Sequence, residues 1–441
     1  MTSPSNGPTA TQDSVKAQAG LGSPDPAPDE TRGTLDGVEA SPPAETPERD
    51  LVVSRGDRRK PRRRKVIRRI LAAAAAVVLV FSAVTGVSIV HALTAPGRDP
   101  VGVKFVEWLR GHGVGGPVNT VERWWYTHHP PPVGGHPRHG IPQAQPPTAP
   151  ATRATPGTLP TTTTVPARPT DLVPIASPAL AGEGVWQPSG KLVGGSPALY
   201  ETFLRPDPVH TSLVTGAVWM NTHLLKAALY NGLQEPGGGP WAHGAHIAPA
   251  DDAALVAAFN GGFRLGDSRG GYMTEGRTVR PLVSGRGSFV IRRDGTVDVG
   301  QWGRDDTMTA DVVAVRQNLD LIVDGGRPVP GLLANDNSRW GATLGGKVFV
   351  WRSGVGVDSK GNVIYVAGNG LNITTLADVL ARAGAVRAIE LDINSEWVSF
   401  YTYTGTTPAD IQGQKLTGAM QRPPDRYLRD GTRDFFALFA R

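Results

Sequence analysis

From about residue 182 to the C-terminus, apolar and polar residues alternate in short runs separated by turn residues, the pattern of half-buried strands. The alternation predicts strands over 199–204, 212–220, 224–230, 288–292, 296–300, 320–323, 347–352 and 363–367. A further run, VRAIEL, predicts a strand over 386–391. Asp294-Gly295 and Asp358-Ser359-Lys360-Gly361 each separate two such runs and predict hairpin turns. Two stretches follow helical spacing instead. One lies near 251–258. The other runs from Thr374 or Thr375, as N-cap, through LADVLARA to Gly384, as C-cap. The class predicted is α+β, mixed and strand-rich, in one domain over 182–441.

Upstream the pattern changes several times. Residues 1–57 are rich in Pro, Ser, Thr, Ala and acids and nearly lack aromatics, so they cannot bury enough apolar surface to fold, and a disordered tail is expected. Nine Lys and Arg crowd 58–69, and the uncharged run ILAAAAAVVLVFSAVTGVSIV follows over 70–90. As a helix this run spans about 30 Å, a bilayer core. We therefore expect a transmembrane helix over 70–93, with the cations cytoplasmic and 58–93 in contact with lipid. A cleaved signal peptide is the competing reading, and the long preceding tail and the length of the run argue against it. The expected product is a single-pass plasma membrane protein, N-terminus inside and C-terminal domain outside.

Two short amphipathic patterns, 103–110 and 118–126, predict a helical stalk over 98–127. Trp108, Trp124 and Trp125 would sit at headgroup level, pack on the outer domain, or simply close a hairpin. A Pro/Thr-rich spacer covers 128–181, and its four histidines (His128, His129, His136, His139) have no rigid scaffold on which to bind metal.

Composition narrows the function classes. The 441 residues include no cysteine, which excludes disulfides, thiolate metal sites and a cysteine nucleophile. Residues 1–182 hold 20 Lys+Arg against 14 Asp+Glu, while 183–441 hold 25 of each, so the net charge of +6 belongs to the first part. Nucleic acid is not an expected partner of the domain. No P-loop, G-x-S-x-G, H-E-x-x-H or Rossmann pattern occurs, and a single span does not make a transporter.

Three pieces carry candidate chemistry. Asn260-Gly261-Gly262 ends an apolar run, where paired glycines permit a tight turn or a close approach to ligand. Arg352 lies among strand residues in VWRSGVGV, either as a paired core cation or as an anion clamp. Asp392 stands where the chain leaves the strand over 386–391, followed by Glu396 and Trp397, either as a working carboxylate or as a cap on backbone amides.

In this order, with the hairpin SFVIRRDGTV and the helix LADVLARAGA between them, these motifs resemble the phosphodiester glycosidase family over roughly 255–397. The resemblance implies hydrolysis of the bond between a sugar's anomeric carbon and a phosphodiester, here in a surface glycan or glycoconjugate. By position it carries over Asn260, Gly261, Gly262, Arg352 and Asp392. The family's Asp-Gly-Gly-Gly-Ser is replaced by Asp392-Ile393-Asn394-Ser395-Glu396, and Arg264 stands where a second aromatic is usual. If the family's reaction is kept, Asp392 would stabilise the oxocarbenium-like centre and Glu396 would place or deprotonate water. Arg352, then Arg277, would hold the departing phosphate, and Asn260 with the Gly261–Gly262 backbone would orient hydroxyls. Trp397, Trp340 or Tyr272 would stack on the sugar. No cofactor is expected; Asp324, Asp336 and Asp392 are oxygen donors, but no EF-hand spacing supports calcium. A non-catalytic carbohydrate-binding or wall-assembly module on the same fold is the alternative.

Overall fold

The computed structural model describes residues 60–95, 99–114, 116, 120, 124, 125, 128–147, 168–334, 336–341 and 348–441. The tail over 1–57, most of the 118–126 pattern and the Thr-rich part of the spacer lie outside the described residues. The chain divides into two units, Met1–Ala73 and Ala74–Arg441.

Helix α1 (Lys60–Thr94) contains a stretch, Arg63–Thr94, long and apolar enough to cross a membrane. A short amphipathic helix, α2 (Val101–Leu109), follows, on the first of the two stalk patterns.

The globular part is built on three antiparallel sheets. The largest contains β1 (Gln187–Val193), β2 (Ser196–Leu204), β3 (Thr215–Met220), β11 (Leu321–Asp324), β12 (Arg327–Pro328), β13 (Val350–Val357), β14 (Val363–Leu371) and β15 (Arg387–Glu390), in the order β1-β2-β3-β14-β13-β15-β11-β12. The second has the order β7-β6-β10-β8-β9, from β6 (Tyr272–Thr274), β7 (Arg277–Arg280), β8 (Gly287–Arg292), β9 (Val297–Gln301) and β10 (Val312–Gln317). The third has the order β17-β16-β5-β18-β4, from β4 (Leu225–Tyr230), β5 (Leu255–Asn260), β16 (Phe400–Thr404), β17 (Gln412–Lys415) and β18 (Phe435–Ala440).

One core lies among the three sheets and includes Leu199, Val218, Phe259, Phe289, Tyr365, Ile389, Phe400 and Phe436. A second lies between the opposite face of the large sheet and helix α3 (Ile373–Arg382), through Leu376, Val379 and Leu380 against Ile322, Ile364 and Val366. Each such side chain, fully buried, contributes about 1.5–3 kcal/mol. The α+β class is thus present, with far more strand than helix.

Three local readings change. The segment near 251–258 is a 3₁₀ turn, Pro249–Asp251, followed by strand β5, whose six residues are all buried. A strand flanked on both sides in the middle of a sheet has no polar face to betray its period, so its alanines read as helix formers. The N-cap of α3 is Asn372, which accepts the Thr375 N–H at 2.8 Å while Thr375 Oγ1 accepts the Asn372 N–H at 3.0 Å. The strand expected over 212–220 begins at Thr215. The two hairpin turns form as expected, with Gly295 and Gly361 at φ 80° and 78°.

Glu201 on β2 is buried with one side-chain partner, Ser189 Oγ at 2.8 Å. Burial pushes its carboxyl up to about 7, against the pull of Ser189. The folded form therefore holds a proton that the unfolded chain releases near pH 4.3, and this contribution to stability is lost as pH rises from there through about 7. Glu201→Gln should be more stable than the parent at pH 8 by about 1–3 kcal/mol, the cost of a buried charge in an imperfect site, with a smaller gain at pH 5. Thermal unfolding at the two pH values checks this; a difference independent of pH would refute it.

Candidate functional site

The site forms where β15 ends. Gly354 on β13 pairs with Glu390, but beyond that the ladder changes: Leu391 N–H donates to the Ser353 carbonyl at 2.8 Å, and Ser353 N–H donates to the Asp392 carbonyl at 2.9 Å. Two residues oppose one, which is the arrangement of a β-bulge and re-aims the side chain that follows. Asp392 turns into the protein with 5% exposure. Its Oδ1 accepts the N–H groups of Ile393 (2.8 Å) and Asn394 (3.0 Å), and its Oδ2 lies 3.3 Å from Arg433 Nη2. Burial pushes the carboxyl up to about 6; Arg433 and the two N–H groups work against this, and the charge of Glu107 on α2 adds to it.

The glycine loop after β5 packs on the same arginine. Arg433 Nη2 donates to the Gly262 carbonyl at 2.8 Å. The loop is also held by Asn318, whose Oδ1 accepts the Phe263 N–H at 3.1 Å and whose Nδ2 donates to the Gly261 carbonyl at 3.2 Å. Arg316 donates to the Phe263 carbonyl and pairs with Asp434 at 2.8 Å, all of it buried. A Cβ at Gly262, where φ is 129°, would lie 2.2 Å from Asn318 Oδ1, so only glycine fits.

Asn260 has its amide engaged inside the protein. Its Nδ2 donates to Ser353 Oγ at 3.1 Å, and its Oδ1 accepts from Tyr365 Oη (2.9 Å) and Ser399 N–H (3.3 Å). It ties β5, β13 and β14 together behind Asp392.

Arg352 and Ser353 are neighbours on β13 and point to opposite faces of the sheet. Arg352 is buried on the α3 side, where it pairs with Glu390 and donates to the carbonyls of Leu371 (3.0 Å) and Val348 (3.3 Å). Its guanidinium is therefore engaged with Glu390, while Asp392 is engaged with Arg433. Glu390 Oε2 is buried without a hydrogen-bond partner, near the position a Cβ would take on Gly341 (3.6 Å). Burial pushes the Glu390 carboxyl up to about 7, opposed by Arg352.

Glu396 turns from Asp392 toward Arg422, at 3.3 Å. Trp397 is buried, with Arg433 among the guanidinium groups around its ring. Arg277 stands apart on a hairpin, stacked 3.8 Å from the centre of Trp241 and donating to the carbonyls of Gly238 and Pro240. Tyr272 and Trp340 are core residues: Tyr272 Oη donates to Asn231 Oδ1 at 2.9 Å, and Trp340 Nε1 to the Leu321 carbonyl at 3.3 Å. Both are therefore withdrawn from stacking on a ligand. Asp324 pairs with Arg304 at 2.7 Å, and among the described residues no three acidic or histidine side chains gather to hold a metal.

Residues 253–395 match the family model for phosphodiester glycosidase. The chain carries a divergent phosphodiester glycosidase domain. The match supports a glycosidase-type, hydrolytic function. Among solved structures the chain is similar to the zebrafish N-acetylglucosamine-1-phosphodiester alpha-N-acetylglucosaminidase catalytic domain, auto-inhibited by pro-peptide, at 17% identity and TM-score 0.36, over 58% of this chain and 88% of that one. It is also similar to a hypothetical protein from Synechocystis, at 12% identity and TM-score 0.31, over 58% and 64% of the two chains. No curated protein matches.

The matched region of the phosphodiester glycosidase domain contains Asn260, Arg352, Glu390 and Asp392 but stops short of Arg433. Sequence reasoning misses Arg433 and Asp434, which precede β18 in the run RDFFALFA, and also Glu390, Arg316 and Asn318. The available signal was a charged residue inside an apolar strand run: Glu390 in AIEL and Arg316 in VVAVRQ. The loop after Asp392 manages without the family's glycines. The non-glycine residues at positive φ among those described are Arg269 and Glu275, and Asn394 Oδ1 closes the turn by accepting the Glu396 N–H at 2.9 Å. Two cavities lie away from Asp392. One, of about 410 Å³, is lined by His223, Lys360 and Arg441; the other, of about 360 Å³, by Tyr230, His243 and Glu275.

Proposed function

We propose that this chain hydrolyses a sugar 1-phosphodiester at Asp392, in a surface glycan or glycoconjugate, while tethered to a membrane by α1. The observation that carries the reading is a buried carboxyl set against Arg433, which also holds the glycine loop, inside a phosphodiester glycosidase domain. In the reaction the bond from the anomeric carbon to the phosphate oxygen breaks and the oxygen leaves with the electron pair. Water adds its oxygen to the anomeric carbon and gives up a proton. The leaving phosphate is a weak base and needs little protonation, so the demand is for charge stabilisation on both sides.

Asp392 offers negative charge to the oxocarbenium-like carbon. The phosphate-holding role expected of Arg352 passes in this reading to Arg433, whose Nε has no partner in the folded protein. Glu396, expected as the second carboxyl, is engaged with Arg422, and Glu390, paired with Arg352 on the α3 side, bears on Asp392 through its charge. Asn260 is a positioning residue, through Ser353 and the β-bulge. The tether reading rests on nine cations followed by an apolar helix, with the N-terminus cytoplasmic, lipid contact through 58–93 and the domain at the cell surface.

The replacement of three glycines by Ile393, Asn394 and Ser395 favours a second reading, a carbohydrate-binding module without turnover. The full chain in uncharged detergent, incubated with an N-acetylglucosamine 1-phosphodiester, separates the two. Release of the free sugar supports hydrolysis; binding with no sugar released supports the module.

A further inference from the structure

Three guanidinium groups surround the indole of Trp397. Arg422, Arg426 and Arg433 place their Cζ atoms 5.3, 5.0 and 5.0 Å from the ring centre. Trp397, Arg422 and Arg433 are 3%, 8% and 6% exposed, the arginines counted by side chain, so like charges are crowded here out of water. Cations gathered at low dielectric need anions beside them, and here Asp99 and Glu396 join Arg422 while Asp392 joins Arg433. Two hydrogen-bond donors of the cluster also have no acceptor: Trp397 Nε1 and Arg433 Nε are both buried and unpartnered. A buried donor left in that state costs about 1–3 kcal/mol, and a native protein tolerates two side by side where a ligand supplies the acceptors.

The chain itself shows which ligand chemistry the cluster takes. Asp99, just ahead of α2, lays its carboxylate on Arg422 and on the Thr432 hydroxyl. Farther along α2, Glu107 reaches Arg264 at 3.4 Å. An acid from outside the sheets thus already occupies one of the three cations. Glu396 shares Arg422 at 3.3 Å, so Asp99, Glu396 and, through Arg433, Asp392 are among the carboxylates that face the cluster.

Arg433 belongs to this cluster and to the Asp392 site at once, so the two are adjacent. We infer that Trp397, Arg422, Arg426 and Arg433 form a second phosphate subsite beside the cleavage centre, made for a repeating phosphodiester chain, and that Asp99 is the internal anion such a chain displaces. Planar arginine forks match phosphate oxygens, and the two idle N–H groups provide further donors. The binding claim stands without the hydrolytic reading; only the statement that the bound chain is also the substrate rests on it.

The test is calorimetric titration of the full chain, in uncharged detergent at low salt, with glycerol phosphate and with a short poly(glycerol phosphate) oligomer. The oligomer should bind at least about tenfold tighter than the single phosphate, through linked engagement of two subsites. Asp99→Asn should tighten the oligomer a further few-fold by removing its competitor, and Arg422→Gln should reduce the oligomer's advantage to about twofold or less. Equal affinity for oligomer and single phosphate overturns the proposal, as does an Asp99→Asn variant that binds the oligomer no better than the parent. Vesicles of phosphatidylglycerol carry the same phosphodiester chemistry as a headgroup; if they compete more strongly than the oligomer, the chain-ligand assignment falls. Binding of the oligomer without sugar release from a 1-phosphodiester sinks the hydrolytic reading and leaves the subsite. Turnover of a single phosphodiester with no oligomer preference does the reverse.

Discussion

Asp392→Asn should lower kcat for a sugar 1-phosphodiester by about 10³-fold or more, equivalent to about 4 kcal/mol of transition-state stabilisation, while the fold stays intact. The substitution keeps the volume of the side chain, and its amide oxygen can still accept the Ile393 and Asn394 N–H groups. What is lost is the negative charge beside the anomeric carbon. Stability should not fall with it. The folded carboxyl, raised to about 6, holds its proton where an unfolded aspartate near 3.9 has released it. Its contribution to stability is therefore present at low pH and lost as pH rises from about 4 through 6, and above that window a neutral amide relieves the protein of a buried charge. Activity has the opposite dependence: parental kcat/KM should rise as pH increases through about 6, as the carboxylate forms. Released sugar measured across pH 4–8, with near-ultraviolet circular dichroism on both proteins, checks the pair of expectations. A variant within tenfold of the parent removes Asp392 from the reaction.

Much of the frame can be read from residues alone, and the reasons are local. Hairpins at Asp294-Gly295 and Asp358–Gly361 declare themselves through turn chemistry, and α3 through an amphipathic face between a polar cap and a glycine. Strands β5 and β18 do not, because LVAAFN and FFALFA are buried on both faces and carry no period. The glycine loop and Asp392 could be located, but their partners could not. Arg433 lies far along the chain from Asp392 and reaches it only because β18 runs beside β5 in the third sheet. The bulge at Leu391–Asp392 is equally silent in the sequence: strict alternation assigns Asp392 a face, whereas the extra residue opposite Ser353 sets where the carboxylate points. Arg352 illustrates the limit from the other side. Of its two readings, paired core cation or anion clamp, the Glu390 ion pair supplies the first.

Gly261→Ala should unfold the domain at a temperature lower by about 10 °C and abolish turnover together, because one methyl group disturbs both structure and site. A Cβ at Gly261 would lie 2.3 Å from Asp434 Oδ2 and 2.8 Å from the Asp434 carbonyl, and neither can simply move aside. The carbonyl accepts the Gly261 N–H at 3.1 Å, and the carboxylate neutralises Arg316, which is wholly buried. Pushing Asp434 away leaves that guanidinium uncompensated, a loss of about 3–5 kcal/mol, which in a domain of this size corresponds to about 10 °C. The functional loss follows from adjacency. Arg433 precedes Asp434 at the start of β18, so a shift there withdraws the guanidinium that faces Asp392 and holds the Gly262 carbonyl. Gly266→Ala is the matched control: a Cβ there meets no atom within 4 Å, in a short helical turn where alanine is the better residue, and melting temperature and turnover should stay at parental values. Differential scanning fluorimetry and the sugar-release assay on both variants measure the contrast. If Gly261→Ala melts with the parent, the Arg316–Asp434 pair does not support the glycine loop, and the link from β18 to the Asp392 carboxylate is broken at that point.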